Sequence, residues 1–192
     1  LETSAHDTFN AITVDAECST NDSLFAVASG ASSVAIDEAS YPALLEGFLA
    51  VSRELALGIV RGGEGATKLI AVTVSDAQSL HAARQVARTI ANSPLVKTAI
   101  HGADPNWGRI VSAAGRSGAT FDLATTSVRI GGVLLFDHGA AHDERAPLAA
   151  AHLQGSTVQI DVSLGSGEGV AATIWTCDLS AEYVRINGEY RT

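Results

Sequence analysis

The sequence predicts a mixed α/β (α+β) protein, and three patterns support that prediction. Several segments alternate apolar and polar residues, as strands with one covered face do. Two longer segments repeat apolar residues every three or four positions, as amphipathic helices do. Glycine-rich links join two pairs of the alternating segments, which is typical of hairpins. Together these patterns favour a body in which helices pack on sheets.

The N-terminal part of the chain contains few regular patterns. Residues 1–7 are consistent with the end of a helix, and the alternation from Phe9 to Val14 predicts a strand. The small and polar residues from Asp15 to Ser23 fit a surface loop or a helix cap, and equally a set of hydrogen-bonding groups at a site.

The clearest helix is predicted from Tyr41 to Arg61, ended by the glycines that follow it. A strand is expected from Leu69 to Val74, and a second amphipathic helix from Ser79 to Asn92. One face of the first helix should be buried through apolar residues at helical spacing, namely Leu45, Phe48, Leu49, Val51, Leu55, Ile59 and Val60.

A cluster of charged and polar residues lies between Ser93 and Arg109. Two apolar pairs between residues 95 and 100 predict a short buried strand, and His101 to Pro105 predicts a turn. A helix is then expected to about Gly115, with Asp104 at its cap. The residue types alone favour a structural corner over a chemical site.

Two hairpins and a short helix are expected in the C-terminal part. Ser127–Ile130 and Val133–Phe136 flank two glycines and predict the first hairpin, and Asp143 to Leu153 predicts the helix. The alternation from Val158 to Leu164 should turn back into Val170–Cys177 as a second hairpin. Residues from about 120 to 192 are a candidate smaller subdomain.

The polar C-terminal tail should fray unless it docks on the rest of the protein. Tyr183, Ile186 and Tyr190 recur at helical spacing, which predicts that it docks.

Composition excludes several classes of function. A net charge of −9 over 192 residues disfavours non-specific nucleic-acid binding, because phosphates would be repelled. Since no apolar run reaches the roughly 18 residues of a membrane span and no signal peptide is evident, we expect no membrane partner and a cytoplasmic location. Cys18 and Cys177 are too few for a disulfide framework, and the scattered histidines predict no metal site.

The segment from Gly62 to Lys68 lacks the G-x-x-x-x-G-K-[ST] spacing of a phosphate loop. It instead presents Glu64 among three glycines, directly before a strand. An exposed glutamate in an ordinary helix-to-strand turn is one interpretation. A loop whose backbone lies close to a ligand is the other.

Five segments occur in a characteristic order along the chain. They are Phe9–Asp15, Ser19–Asp22, Gly63–Lys68, Ser93–Arg109 and a last one made of Tyr183–Asn187 with Tyr190–Thr192. Taken together they resemble one family, the ornithine acetyltransferases (glutamate N-acetyltransferases) of the cyclic arginine pathway, and specifically their β chain. Five ordered motifs are far more specific than any single match.

The resemblance implies a precursor that cuts itself before a threonine, giving an α chain and a β chain whose new N-terminal threonine is the nucleophile. That threonine would take the acetyl group from N-acetylornithine and pass it to glutamate by a ping-pong mechanism, with its free α-amine as base. In the family pattern it lies upstream of Leu1, and the oxyanion donors belong to the α chain. We therefore expect this to be a β chain without its N-terminal segment, containing no catalytic residue.

The resemblance further implies a layered helix–sheet–sheet–helix, N-terminal-nucleophile-like fold, active only with the α chain in an α2β2 heterotetramer. No bound cofactor is expected, although acetyl-CoA is a candidate acetyl donor if the enzyme is bifunctional. A related self-cleaving aminopeptidase, in which water replaces glutamate, and a non-catalytic binding module are the alternatives.

Three residues match the family's substrate-contacting positions in the β chain, namely Glu64, Asn187 and Thr192. Glu64 suits the amine of ornithine, while Asn187 and the Thr192 hydroxyl suit its carboxylate or amide. Further polar residues are expected to support the site or to contact the α chain, and these are Asn21, Lys68, Lys97, Asp104, Asn106 and Arg109.

Overall fold

The computed structural model describes residues 1–190, and six strands in it form one mixed sheet. The strand order is β4-β3-β2-β5-β1-β6. The strands are β1 (Leu69–Ala77), β2 (Ser127–Ile130), β3 (Val133–Asp137), β4 (Ala140–Ala141), β5 (Thr157–Ser163) and β6 (Val170–Cys177). With the helices described next, the sheet confirms the predicted α/β class.

Seven α-helices accompany this sheet within residues 1–190, and none of these is long and apolar enough to cross a membrane. They are α1 (Glu2–His6), α2 (Tyr41–Arg61), α3 (Leu80–Ala91), α4 (Pro94–His101), α5 (Trp107–Gly115), α6 (Ala146–Leu153) and α7 (Ala181–Glu189). Four of them begin after a residue whose side chain accepts a backbone N–H of the first turn, as good N-caps do. These caps are Ser79, Ser93, Asn106 and Ser180.

Strand β1 is the fifth of the six strands and lies next to the edge strand β6. It pairs in parallel with β5 and antiparallel with β6. Its alternate residues Ile70, Val72 and Val74 are fully buried, and they belong to a core to which α3, α5 and α6 also contribute. Burial of these side chains is the main stabilising contribution, about 1.5–3 kcal/mol for each one.

Among residues 1–190, the other face of the sheet is covered at one end only. There the C-terminal part of α2 packs through Leu57 and Val60 onto Leu69 and Cys177. Further along, this face carries polar residues such as Thr73, whose hydroxyl lies 2.9 Å from that of Thr173 on β6. Residues 1–190 thus contain one sheet of the expected layered arrangement, with helices mainly on one face.

Several predicted elements are confirmed. Helix α2 has the predicted bounds, β1 and α3 lie within a few residues of theirs, and the hairpin of β2 and β3 forms around its two glycines. The predicted helix after residue 143 is present as a short 3₁₀ helix followed by α6.

Two predicted strands near the site are wrong. Phe9–Ala11 forms a 3₁₀ helix, and only Ile12 bridges to Trp175. The expected strand between residues 95 and 100 is helix α4, because Ser93 caps it and Pro94 occupies its first turn, where proline is well tolerated.

The predicted second hairpin is also wrong. Strands β5 and β6 are consecutive in the chain, but β1 lies between them in the sheet. The region from about residue 120 onward supplies the other five strands around β1, and its proposed subdomain boundary stays a prediction.

The apolar face predicted for α2 is right at four of its seven positions, which are buried or half-buried, and wrong at the other three. Val51, Leu55 and Ile59 are 62%, 56% and 52% exposed. Apart from Val60, the buried positions of the helix are Ser52, Ala56 and Leu57.

We predict that Gly131→Ala destabilises the protein more than Gly132→Ala. Both turn glycines have positive φ, +57° and +77°, which costs alanine about 1–2 kcal/mol. Only at Gly131 would a Cβ also overlap the imidazole of His152, at 2.6 Å from its Cδ2, adding about 1–3 kcal/mol of overpacking. Thermal unfolding of the two variants measures the difference, and equal midpoints would contradict the packing argument.

Candidate functional site

The loop from Gly62 to Lys68 connects α2 to β1 and lies directly under the first turn of α7. Gly65 has φ +67°, and a Cβ there would lie 2.6 Å from the Tyr183 nitrogen and 2.7 Å from Ser180 Oγ. The Ser180 hydroxyl donates to the Gly65 carbonyl oxygen at 2.7 Å. Glycine is therefore required at this point for the helix to approach the loop so closely.

Two of the predicted substrate residues meet at this junction. Asn187 Nδ2 on α7 donates to Glu64 Oε2 at 2.5 Å, although the residues are 123 positions apart in the chain. Asn187 also donates to the carbonyl oxygen of Tyr183 at 3.0 Å, which fixes its rotamer. A carboxylate accepts several hydrogen bonds, so Glu64 keeps capacity for a cationic ligand. Thr192, the third predicted residue, lies outside the described residues.

A buried carboxylate holds the loop in place. The Asp178 side chain has no exposed surface. Its Oδ1 accepts from the backbone nitrogens of Thr67 and Lys68 at 2.7 and 2.8 Å. Its Oδ2 accepts from Thr67 Oγ1 at 2.5 Å and lies 2.7 Å from His101 Nδ1. Burial raises the pKa of Asp178, but hydrogen bonds from Thr67, His101 and Lys68 outweigh it, so its pKa lies below the usual value.

Lys97 is a buried cation behind the same junction, with 3% of its surface exposed. Its ammonium donates to the carbonyl oxygen of Val14 and lies 3.9 Å from Cys177 Sγ. Burial lowers the pKa of Lys97, while Cys177 and the carboxylates of Asp15 and Asp178 act in the opposite direction. Burial likewise raises the pKa of the Cys177 thiol. Lys97 thus fixes the Val14–Asp15 segment beside the site.

The surroundings of α7 are acidic. Tyr183 Oη donates to Asp15 Oδ2 at 3.0 Å. Burial raises the pKa of Tyr183, and the Asp15 hydrogen bond and the charges of Asp15, Glu64 and Glu17 raise it further. Three carboxylates close to one tyrosine create a negative potential, which favours an ammonium group over a carboxylate as a ligand beside Glu64.

Lys68 connects the loop to two helix ends. Its ammonium donates to the carbonyl oxygens of Ile100 at 2.8 Å and Leu153 at 2.6 Å. These residues lie in the last turns of α4 and α6, where a cation interacts favourably with the helix dipole. The Lys68 ammonium therefore joins the ends of α4 and α6 and does not bind Glu64.

The remaining residues of the Ser93–Arg109 segment fix the corner between α4 and α5. Asn106 caps α5 by accepting from the Arg109 nitrogen at 3.1 Å, so the predicted cap at Asp104 is wrong. Asp104 instead accepts from Asn106 Nδ2 at 3.1 Å. The Arg109 guanidinium donates to the carbonyl oxygen of Leu95 at 2.8 Å. This segment reaches the site through Lys97 and His101.

Asn21 has no hydrogen bond, among the described residues, to the residues around Glu64 and Asp178. It occupies an exposed loop, where its side-chain oxygen accepts from Thr20 Oγ1 at 3.0 Å. Within residues 1–190 no group of three or more potential ligating side chains is placed to hold a metal ion.

Sequence reasoning missed Asp178, Ser180 and the contact of Asp15 with Tyr183. The one available signal was the position of Asp178, directly after an apolar strand and two residues before a serine that caps a helix. That pattern indicates an N-terminal cap region, but it gives no hint that the loop at residue 65 lies beside it.

Fold and site together define a class of protein: a mixed α/β chain whose C-terminal helix places an amide beside a carboxylate on a glycine-rich loop. The ArgJ family profile matches residues 1–192. The chain belongs to the ArgJ family.

Relatives and a solved structure agree with this assignment. The arginine biosynthesis bifunctional protein ArgJ of Thermosynechococcus vestitus is 47% identical over 100% of this chain and 50% of its own length. ArgJ 1 of Nostoc sp. is 48% identical over 100% of this chain and 49% of its own. The crystal structure of ArgJ from Bacillus halodurans matches with a TM-score of 0.93 and 38% identity, over 98% of this chain and 90% of that one. The chain thus spans about half the length of these curated relatives.

We predict that Gly65→Ala displaces α7 from the loop. The new Cβ would have to push away the backbone of Tyr183 and Glu182, at a cost of about 1–3 kcal/mol beyond the strain of positive φ. Backbone amides of α7 should therefore exchange with solvent faster, as measured by hydrogen–deuterium exchange.

The matched control for this variant is Gly167→Ala. Gly167 also has positive φ, +79°, but apart from Gly167 and its two chain neighbours no described residue has an atom within 4 Å of the point that its Cβ would occupy. Exchange in α7 at the wild-type rate in the Gly65 variant would contradict the proposed close packing.

Proposed function

We propose that this chain is the β chain of an ornithine acetyltransferase, which moves an acetyl group from N-acetylornithine to glutamate. The observation that carries the proposal is the pairing of Glu64 with Asn187 at 2.5 Å in an acidic environment. The free amine of the ornithine side chain is positively charged at neutral pH and suits Glu64. Asn187 supplies a neutral amide for a polar group of the same substrate.

The acetyl transfer itself requires a nucleophile from outside the sequence described. In the proposed ping-pong cycle, a threonine hydroxyl upstream of Leu1 attacks the acetyl carbonyl carbon and loses its proton to a base. The bond from that carbon to the ornithine nitrogen breaks, and the departing amine takes up a proton. The glutamate amine then attacks the acetyl-threonine and restores the hydroxyl. Glu64, Asn187 and Thr192 bind and orient the amino-acid part.

The second chain and the second acetyl source belong to the proposal as well. Curated relatives are about twice as long as this chain, which supports an α chain cut from the same precursor. The proposal further places the two chains in an α2β2 assembly in the cytoplasm. Their names call them bifunctional, which supports acetyl-CoA as an additional acetyl donor. Lys68, Lys97, Asp104, Asn106 and Arg109 support the site from behind, with Asn21 in an exposed loop.

We predict that Glu64→Gln raises the KM for N-acetylornithine about tenfold with a smaller change in kcat. The amide keeps the shape of the side chain but removes the charge that pairs with the substrate ammonium, and a tenfold change corresponds to about 1.4 kcal/mol. Steady-state kinetics of the intact protein measure the effect. Glu168→Gln, on the exposed loop between β5 and β6, is the matched control. An unchanged KM in the Glu64 variant would contradict the proposed role of Glu64 in substrate binding.

We also predict that acetyl-group release depends on glutamate. In the acetyltransferase, N-acetylglutamate should form at the rate at which ornithine is released. Mass spectrometry of the purified protein should also find a second chain, and a β chain that begins with threonine. Release of acetate at the same rate without glutamate would instead support the aminopeptidase-like alternative, in which water is the acyl acceptor. A protein with neither activity would support a binding module.

A further inference from the structure

One buried carboxylate links the two elements that carry the proposed substrate contacts. Asp178 lies between the end of β6 and the start of α7. Its side-chain partners among the described residues are donors, from Thr67, Lys68 and His101, at 2.5–2.8 Å. A buried charge without such partners is strongly destabilising, so the loop must keep the conformation that supplies them.

The same segment fixes the helix. Two residues after Asp178, the Ser180 hydroxyl donates to the Gly65 carbonyl oxygen at 2.7 Å and accepts the Tyr183 nitrogen as the cap of α7. The residues that follow Glu64 in the loop are hydrogen-bonded to Asp178 and Ser180, and these bonds fix the position of Glu64. Asn187 lies two turns along the helix that the segment starts.

We propose that Asp178 is a positioning residue that sets the separation of Glu64 and Asn187, and through it the affinity for the amino-acid substrate. The expected change in KM rests on the proposed function, whereas the expected change in the position of the loop and the helix does not. Among the described residues Asp178 forms no hydrogen bond with Glu64 or Asn187, so it acts through the loop at Thr67 and Lys68 and through the cap at Ser180.

The geometry makes a graded series of variants informative. Asp178→Asn can retain Oδ1 as the acceptor for the two backbone nitrogens, while its NH2 group replaces the oxygen that faces Thr67 Oγ1 and His101 Nδ1. Thr67→Val removes a single hydroxyl donor. Asp178→Ala removes every acceptor and leaves the two backbone N–H groups without their carboxylate.

For the intact protein we expect the KM for N-acetylornithine to rise about tenfold or more in Asp178→Ala and about threefold in Asp178→Asn and in Thr67→Val, scaling with the hydrogen bonds lost. The kcat should change less than the KM in each variant. Hydrogen–deuterium exchange should be faster at Thr67, at Lys68 and in the first turns of α7 in Asp178→Ala.

The matched control is Asp76→Asn at the opposite end of β1. Asp76 is half-buried, whereas Asp178 is fully buried, and Asp76 likewise accepts from a hydroxyl, that of Ser163, at 2.9 Å. Its φ of +50° is readily adopted by asparagine. We expect wild-type KM and wild-type exchange at Thr67 in this variant.

A purely structural role for Asp178 predicts a different result. The folded fraction would fall while the remaining folded protein kept its KM, and that outcome would overturn the proposal. If Asp178→Ala does not fold, wild-type KM and exchange in both Asp178→Asn and Thr67→Val would overturn it equally. If the wild-type protein transfers no acetyl group, the proposed function fails, and the exchange measurements alone decide whether Asp178 positions the loop and helix.

Discussion

The site depends on the satisfaction of one buried negative charge. A carboxylate with no exposed surface is tolerated only when hydrogen bonds replace its lost hydration. Asp178 obtains them from the loop before β1 and from the end of α4. Because these donors come from separate parts of the chain, the loop, α4 and the start of α7 take up one mutual arrangement. The substrate contacts proposed for Glu64 and Asn187 follow from that arrangement.

The sheet explains why these parts meet at all. In the antiparallel pair of β1 and β6, Leu69 lies opposite Cys177. The residues before β1 and after β6 therefore leave the sheet at the same edge, which brings the Glu64 loop beside Asp178. Lys68 then binds the ends of α4 and α6, and Lys97 reaches the Val14 carbonyl from behind. The register of β1 and β6 thus determines where the site lies.

Local patterns in the sequence were sufficient for much of the fold. Helices α2 and α3 were predicted because their apolar residues recur at helical spacing over many residues. Strand β1 was predicted from a short apolar run, and the hairpin of β2 and β3 from two short segments that flank a pair of glycines. Helix α4 was missed because a short apolar run does not distinguish strand from helix, although Ser93 and Pro94 are a helix-start signal. The exposed face of α2 could not be foreseen, since amphipathic spacing shows which residues share a face but not what covers it.

Local sequence patterns do not predict which strands pair when the strands are far apart in the chain. The placement of β1 between β5 and β6 depends on contacts about a hundred residues apart, and adjacency in the chain wrongly favoured a hairpin. Glu64 and Asn187 were selected by resemblance to a family, and nothing in their own neighbourhoods indicated that they meet. Asp178 was missed because a buried aspartate after a strand has the same sequence pattern as an exposed one.

The central claim is that Glu64 and Asn187 form the binding site for the amino-acid part of the substrate. A crystal structure of the chain together with its proposed α chain and bound ornithine tests it most directly. We expect the side-chain nitrogen of ornithine to lie about 2.7–3.1 Å from a Glu64 carboxylate oxygen, with the Asn187 amide in contact with the same molecule. Ornithine bound elsewhere, with Glu64 facing solvent, would contradict it.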